Sequence, residues 1–286
     1  MDKLAEGYGL IEGPVWDDER GLIFSDVVFG GVFALSPTGE VGQIFEHRKG
    51  IGGMVLHEAG GLVVSGRNIA FKPFQGAVTQ IILDRDEAAG NLGYNDITTD
   101  ALGRIYAGSL GTSTVFEDDR KPQPGDLYLI DRDGSARVVG KDIRLTNGLG
   151  FSPDGTVLYH SDSQRKSVYC YAVLADGSLG DKQRFVTVDE GIPDGLVVSE
   201  DGRVWVALAG GGGVGVYDPR GNKTDLIELP QAMCTSVCFG GRDRKTLYMV
   251  TGSENLGSDD RDGAVYSVRV DVAGVPVTPA RVKLGV

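Results

Sequence analysis

The sequence predicts an all-β protein, a six-bladed β-propeller with four-stranded blades around a central channel. Three observations carry that expectation: a recurring strand–turn–strand unit, an excess of glycine, and the absence of extended helical periodicity. Glycine supplies 44 of the 286 residues, about twice ordinary usage, which suits many tight turns and disfavours long helices. Apolar residues recur at alternate positions or in short β-branched runs, not at helical spacing. Only the stretch DRDEAAG at 84–90 reads as a helical turn.

Six segments open the repeats in order. EGPVWDDERGLIFSDV begins at Glu12, GGMVLHEAGGLVVSGR at Gly52, and NDITTDALGRIYAGSL at Asn95. NGLGFSPDGTVLYHSD follows at Asn147, DGLVVSEDGRVWVALA at Asp194, and TSVCFGGRDRKTLYMVTG at Thr235. Their openings are 40, 43, 52, 47 and 41 residues apart. Each unit runs through a short apolar strand, a polar turn such as Asp-Gly, and a second strand, which is hairpin chemistry. Further strands fill most repeats, among them GVFALSP, GDLYLID, SVYCYAV and GVGVYDP. The last repeat carries AVYSVRV and the sequence ends in ARVKLGV, so an end strand is expected to complete a blade holding the other terminus. No linker or low-complexity stretch interrupts the pattern, so residues 1–286 are expected to form a single domain. Trp16 is followed by Asp17 once and the other tryptophan is Trp205. The G-H and W-D pairs of WD40 repeats are therefore missing, which disfavours a protein-binding array of that kind.

Charge narrows the partners. With 28 basic against 40 acidic residues the net charge is −12, so a phosphate backbone would be repelled and no nucleic acid is expected. No apolar run approaches the roughly 20 residues that span a bilayer, and MDKLAEGYGL lacks the pattern of a secretory signal. Cys170, Cys234 and Cys238 form an odd set without C-x-x-C spacing, as expected of thiols in a reducing compartment. A cytoplasmic protein is expected, with no membrane partner.

The repeat also places a site. The first strand of each propeller blade lies nearest the axis, so equivalent positions at its start form a ring: Glu12, Gly52, Asn95, Asn147, Asp194 and Thr235. Any one of these is also a residue that turns favour. Two carboxylates and two amides in register from four blades, however, are costly to bury without a partner, and a divalent cation supplies one. Their oxygens are hard ligands suited to Ca²⁺, Mg²⁺ or Mn²⁺.

The segments EGPVW, YNDITTDALGRIYAGSL, TNGLGFSPDGTVLYHSDS, IPDGLVVSEDGRVWVALAGGG and LPQAMCTSVCFGGRD resemble the SMP-30/gluconolactonase/LRE-like (regucalcin-like) family over nearly the whole chain. The resemblance implies a six-bladed propeller with one divalent metal in the channel and hydrolysis of sugar lactones. It implies that Glu12, Asn147 and Asp194 bind the metal and that Asn95 lies on the substrate side. One position departs: sugar-lactone members carry an arginine two residues before that asparagine, where this sequence has Gly93. A wider, less cationic channel mouth and tolerance of varied ring substituents are expected from the change.

The expected function is therefore a metal-dependent lactonase acting on a small-molecule lactone. The metal polarises the carbonyl, Asp194 assists attack by water, and Asn95 and Asn147 orient the ring. Ca²⁺, Mn²⁺, Zn²⁺ and Fe²⁺ all remain open as the cation. Hydrolysis of another ester or an organophosphate on the same metal, and a calcium- or ligand-binding propeller without turnover, are the competing readings. No G-x-S-x-G elbow is present. His47 and His57 read as surface-loop residues, and His160 as a structural residue within a strand. Asp162 and Ser163 are expected to support the site edge or a turn. EDDR at 117–120 is a solvated loop or a border of the channel mouth.

Overall fold

Six four-stranded antiparallel sheets make up the computed structural model, which describes residues 1–46, 48–76, 78–112, 121–255 and 259–285. The sheets are blades of a propeller, numbered here in chain order. Their inner strands are Ile11–Asp17, Met54–His57, Gly93–Thr99, Thr146–Phe151, Ile192–Val198 and Cys234–Gly240. Each inner strand touches those of both neighbouring blades, so the six close a ring. Among the described residues the helical content is one 3₁₀ turn, Ser163–Arg165. The stretch at 84–90 closes as a hydrogen-bonded turn. His47 and the EDDR stretch at 117–120 lie outside the described residues.

The apolar core sits in the seams between blades. Val55 and Val63 of blade 2 pack with Ile105 and Ala107 of blade 3, and Ile11 and Phe24 of blade 1 with Val250 and Val265 of blade 6. A blade is therefore covered on both faces, which is why its second strand reads as an almost unbroken apolar run: VWVALA at Val204–Ala209 is buried at five consecutive residues. Outer strands are more open: Ala136–Ile143 alternates exposed and half-buried residues over 136–139, the period-two signature of a half-covered sheet.

Closure falls to the beginning of the chain. Asp2–Tyr8 is the outermost strand of blade 6, pairing antiparallel with Gly263–Arg269 from Asp2↔Ser267 to Tyr8↔Gly263. An end strand does complete the blade holding the opposite terminus, but ARVKLGV is not a blade strand. The tail instead crosses the end of the propeller toward which the inner strands run. Its backbone bonds Val198 O of blade 5 from Val275 N (2.8 Å), Leu56 O of blade 2 from Ala280 N (2.7 Å), and Arg132 O of blade 3 from Lys283 N (2.7 Å). That crossing corrects the reading of His57. The imidazole is buried in blade 2, accepting from Ala59 N at Nδ1 (3.1 Å) and donating from Nε2 to Val282 O (3.0 Å).

Candidate active site

The ring positions sit where the inner strands leave regular pairing. Strand register slips between Glu12 and Val15, Tyr94 and Ile97, Thr146 and Leu149, Pro193 and Leu196, and Cys234 and Ser236. Such bulges re-aim side chains that a flat ladder would send into the blade faces. A second regularity locks the ring. In most blades a donor reaches the carbonyl just before the next blade's ring position: Ser25 Oγ to Ile51 O (2.7 Å), Gly66 N to Tyr94 O (3.0 Å), and Asn95 Nδ2 to Thr146 O (2.8 Å). Ser163 Oγ donates to Pro193 O (2.6 Å) and Thr235 Oγ1 to Ile11 O (2.6 Å) in the same way.

The two amides form one arc of the ring. Asn95 Nδ2 also donates to Asn147 Oδ1. Ser163 spends its only proton on Pro193 O, so its hydroxyl must accept from Asn147 Nδ2 (2.8 Å). That bond fixes the amide orientation, turning Asn147 Oδ1 toward Asn95 and leaving it lone-pair capacity. Ser163 thus supports the site edge. Asp162 ties down the adjoining loop, accepting from Arg144 N (3.0 Å), Leu145 N (3.1 Å) and Arg165 Nη1 (3.0 Å). Gly52 carries no side chain for a related reason: a Cβ there would stand 2.0 Å from Asn95 Oδ1.

The carboxylates form the other arc. Asp194 Oδ1 is buried without a hydrogen-bond partner. Burial pushes Glu12 well above the ordinary carboxyl range, and the charges of Asp194 and Asp96 push it further. Asp194 is raised by burial and then by Asp96. Asp96 itself is pushed up to about 7 by burial, against one stabilising bond from Ile97 N (2.9 Å). Sequence reasoning overlooked Asp96. The position after each ring residue is Gly13, Gly53, Asp96, Gly148, Gly195 and Ser236, so an acid in a column otherwise of glycine or serine was the available signal. Among the described residues none of the three acids forms an ion pair, and no cluster of three His, Cys, Asp or Glu side chains makes a metal cage. The arrangement is two ring carboxylates opposed by amides, with a third acid alongside.

Beyond the ring, a cavity of about 390 Å³ runs along the inner strands to the crossing tail, lined by Trp16, Asp96, Phe151, Cys238 and Pro276 among others. His160 is buried, pushed down to about 4 by burial, and its Nε2 lies 2.8 Å from Thr146 Oγ1. It braces the residue before Asn147. The thiols of Cys234 and Cys238 are buried and raised by burial.

Gly93 differs from expectation. Its φ of +147° is in the glycine region, and a Cβ there would stand 2.5 Å from Gly66 O and 3.3 Å from the Cα of Arg67. The space that a side chain at 93 would enter is filled by the backbone of blade 2, so the mouth is not widened at this point.

Residues 10–253 match the family model described as the SMP-30/Gluconolactonase/LRE-like region. The chain is 32% identical to a 6-deoxy-6-sulfogluconolactonase of Pseudomonas putida, across 92% of both chains. It is 30% identical to a pentonolactonase of Haloferax volcanii, across 96% of this chain and 95% of that one. A solved structure titled as a calcium-binding protein, regucalcin, from Agrobacterium tumefaciens is 23% identical and superposes with a TM-score of 0.83, covering 98% of this chain and 96% of that chain. That likeness shows a shared propeller fold.

Proposed function

The chain belongs to the SMP-30/gluconolactonase/LRE-like family, and from that premise we propose that it is a metal-dependent lactonase acting on small lactones. The observation that carries this reading is the unpartnered Oδ1 of Asp194 beside Glu12 and Asp96: burial raises all three acids, and the charge of Asp96 raises Glu12 and Asp194 further. Buried carboxylates left without a counter-charge cost several kcal/mol or more, and a divalent cation removes that cost. The residues fit such an ion: Glu12, Asp194 and the oriented Asn147 Oδ1 are hard oxygen donors. Both relatives named above are lactonases by name, and they differ in the sugar they are named for. The reading therefore extends to the lactone ring, with Ca²⁺, Mn²⁺, Zn²⁺ and Fe²⁺ as cations to compare.

Glu12, Asn147 and Asp194 would hold the cation, and the chemistry it would supply there is Lewis-acid polarisation of the lactone carbonyl oxygen. Asp194 takes a proton from the water that attacks the carbonyl carbon. The ring C–O bond then breaks, the departing oxygen receives that proton, and a hydroxy acid results. Asn95 orients the lactone through its amide, and Ser163 keeps Asn147 from rotating.

Hydrolysis of gluconolactone, xylonolactone and a simple γ-lactone, with and without chelator, tests the assignment. Turnover lost on chelation and restored by one divalent ion is expected. An aryl ester or organophosphate hydrolysed in preference to every lactone overturns the substrate class, and metal binding without any turnover overturns catalysis.

A further inference from the structure

Position 93 lacks a side chain, yet the space beside it contains an arginine from another blade. Gly66 pairs with Tyr94 in both directions, Tyr94 N to Gly66 O (2.7 Å) and Gly66 N to Tyr94 O (3.0 Å). The 65–68 loop of blade 2 is thereby locked onto the strand that carries Asn95, and Arg67 leaves that loop next to Gly93. Arg67 is exposed and makes no ion pair or hydrogen bond among the described residues. Arg48 stands beside it, half-buried, with Nη2 donating to Asn68 Oδ1 (2.7 Å), Asn68 O (3.2 Å) and Ser65 O (3.4 Å). These bonds hold the loop in place but bring no negative charge. Burial lowers Arg48, and Lys72 is lowered by burial first and then by the charge of Arg48.

Two arginines without an ion pair, in a chain with twelve more acids than bases, thus belong to or brace the loop that is paired onto the strand of Asn95. We propose that Arg67 is the recognition residue for an anionic substituent, a carboxylate or sulfonate, on the end of the lactone remote from its carbonyl. Arg48 acts on it as a positioning residue by fixing the loop. A sugar hydroxyl would leave both charges uncompensated, whereas a carboxylate or sulfonate offers paired oxygens that match the guanidinium fork. The remote end follows from the placement. Arg67 starts one loop farther from Asn95 than a residue at 93 would, so it meets a part of the ligand farther from the reacting bond.

This inference rests on the lactonase reading, and its test separates the two. The metal-loaded enzyme, with Arg67→Ala and Arg67→Lys variants, is assayed on a neutral lactone (glucono-1,5-lactone) and a carboxylate-bearing one (glucaro-1,4-lactone), and its binding of glucarate is measured by calorimetry. The ratio of kcat/KM for the charged over the neutral lactone should fall about tenfold in Arg67→Ala, carried by KM, with partial recovery in Arg67→Lys. A ratio unmoved by both variants overturns the inference while the lactonase reading stands. If no lactone is hydrolysed, glucarate binding that is lost in Arg67→Ala keeps the anion site and removes the lactonase reading. Glucarate binding that is absent, or indifferent to Arg67, overturns the site.

Discussion

On the side of blades 3 and 4, the ring around the axis has its amides bonded: Asn95 and Asn147 bond to each other, to Thr146 O and to Ser163. On the side of blades 1 and 5, Glu12 and Asp194 face each other's charge, with Asp96 adding to both, and Asp194 Oδ1 has no partner. The first arc has its bonds made as folded, whereas the second leaves Asp194 Oδ1 without one. The difference divides the labour of the site. On the proposed function, the amide arc supplies shape without charge, whereas the carboxylate arc would supply the charge that selects and holds a divalent ion.

The sharpest way to break this comparison is Asp194→Ala. It should release the metal and cut kcat/KM by about a thousandfold or more, on the order of 4 kcal/mol. Elemental analysis of the purified variant reads the first effect and a lactone assay the second. Full metal content in that variant would remove the carboxylate arc from metal binding. Asn95→Ala comes next, with turnover reduced about a hundredfold, near 3 kcal/mol, and metal retained. Metal loss equal to that of Glu12→Ala would erase the distinction between the arcs.

Acidity offers a third test, on metal-free protein. The folded value of Asp96, about 7, lies above its ordinary value of 3.8, so the folded state holds that proton more tightly than the unfolded chain. Its contribution to stability is full below about pH 4 and is lost as pH rises through 7, an effect on the order of 4 kcal/mol. Thermal unfolding should show metal-free protein weakening over that window, with Asp96→Asn flattening the slope. A slope of the opposite sign would mean that the acid arc is not strained without its ion. The smallest effect is expected for Ser163→Ala. Freeing the Asn147 amide to rotate should weaken metal affinity severalfold, about 1 kcal/mol, as read by titration with the metal.

The blades were legible because their signals are local: alternating apolar residues, Asp-Gly turns, and ring residues recurring at a fixed point of each unit. Register across repeats also brought Glu12, Asn95, Asn147 and Asp194 to one level without any knowledge of long-range contacts. What escaped depends on contacts between distant segments. Asp96 joins its neighbour at the ring because a bulge turns two successive residues where a regular strand turns one. His57 reads as a surface residue until the tail arrives over it, some 225 residues later in the chain. Gly93 suggests an open space, and only the pairing of Gly66 with Tyr94 shows which backbone fills it.

The closing strand imposes a timetable on synthesis. Asp2–Tyr8 is made well before its partner, Gly263–Arg269. At ribosomal speeds of about 5–20 residues per second, the first strand waits roughly 15–50 s for its place. Through that interval it is a loose edge on a growing chain, the kind of surface that invites pairing with other chains. Its sequence, DKLAEGY, suits the wait. Asp2, Lys3 and Glu6 leave it polar, and even in the finished propeller it stays largely exposed. Replacing those charges with β-branched apolar residues should lower the yield of folded protein from a translation reaction before it changes the thermal stability of what does fold.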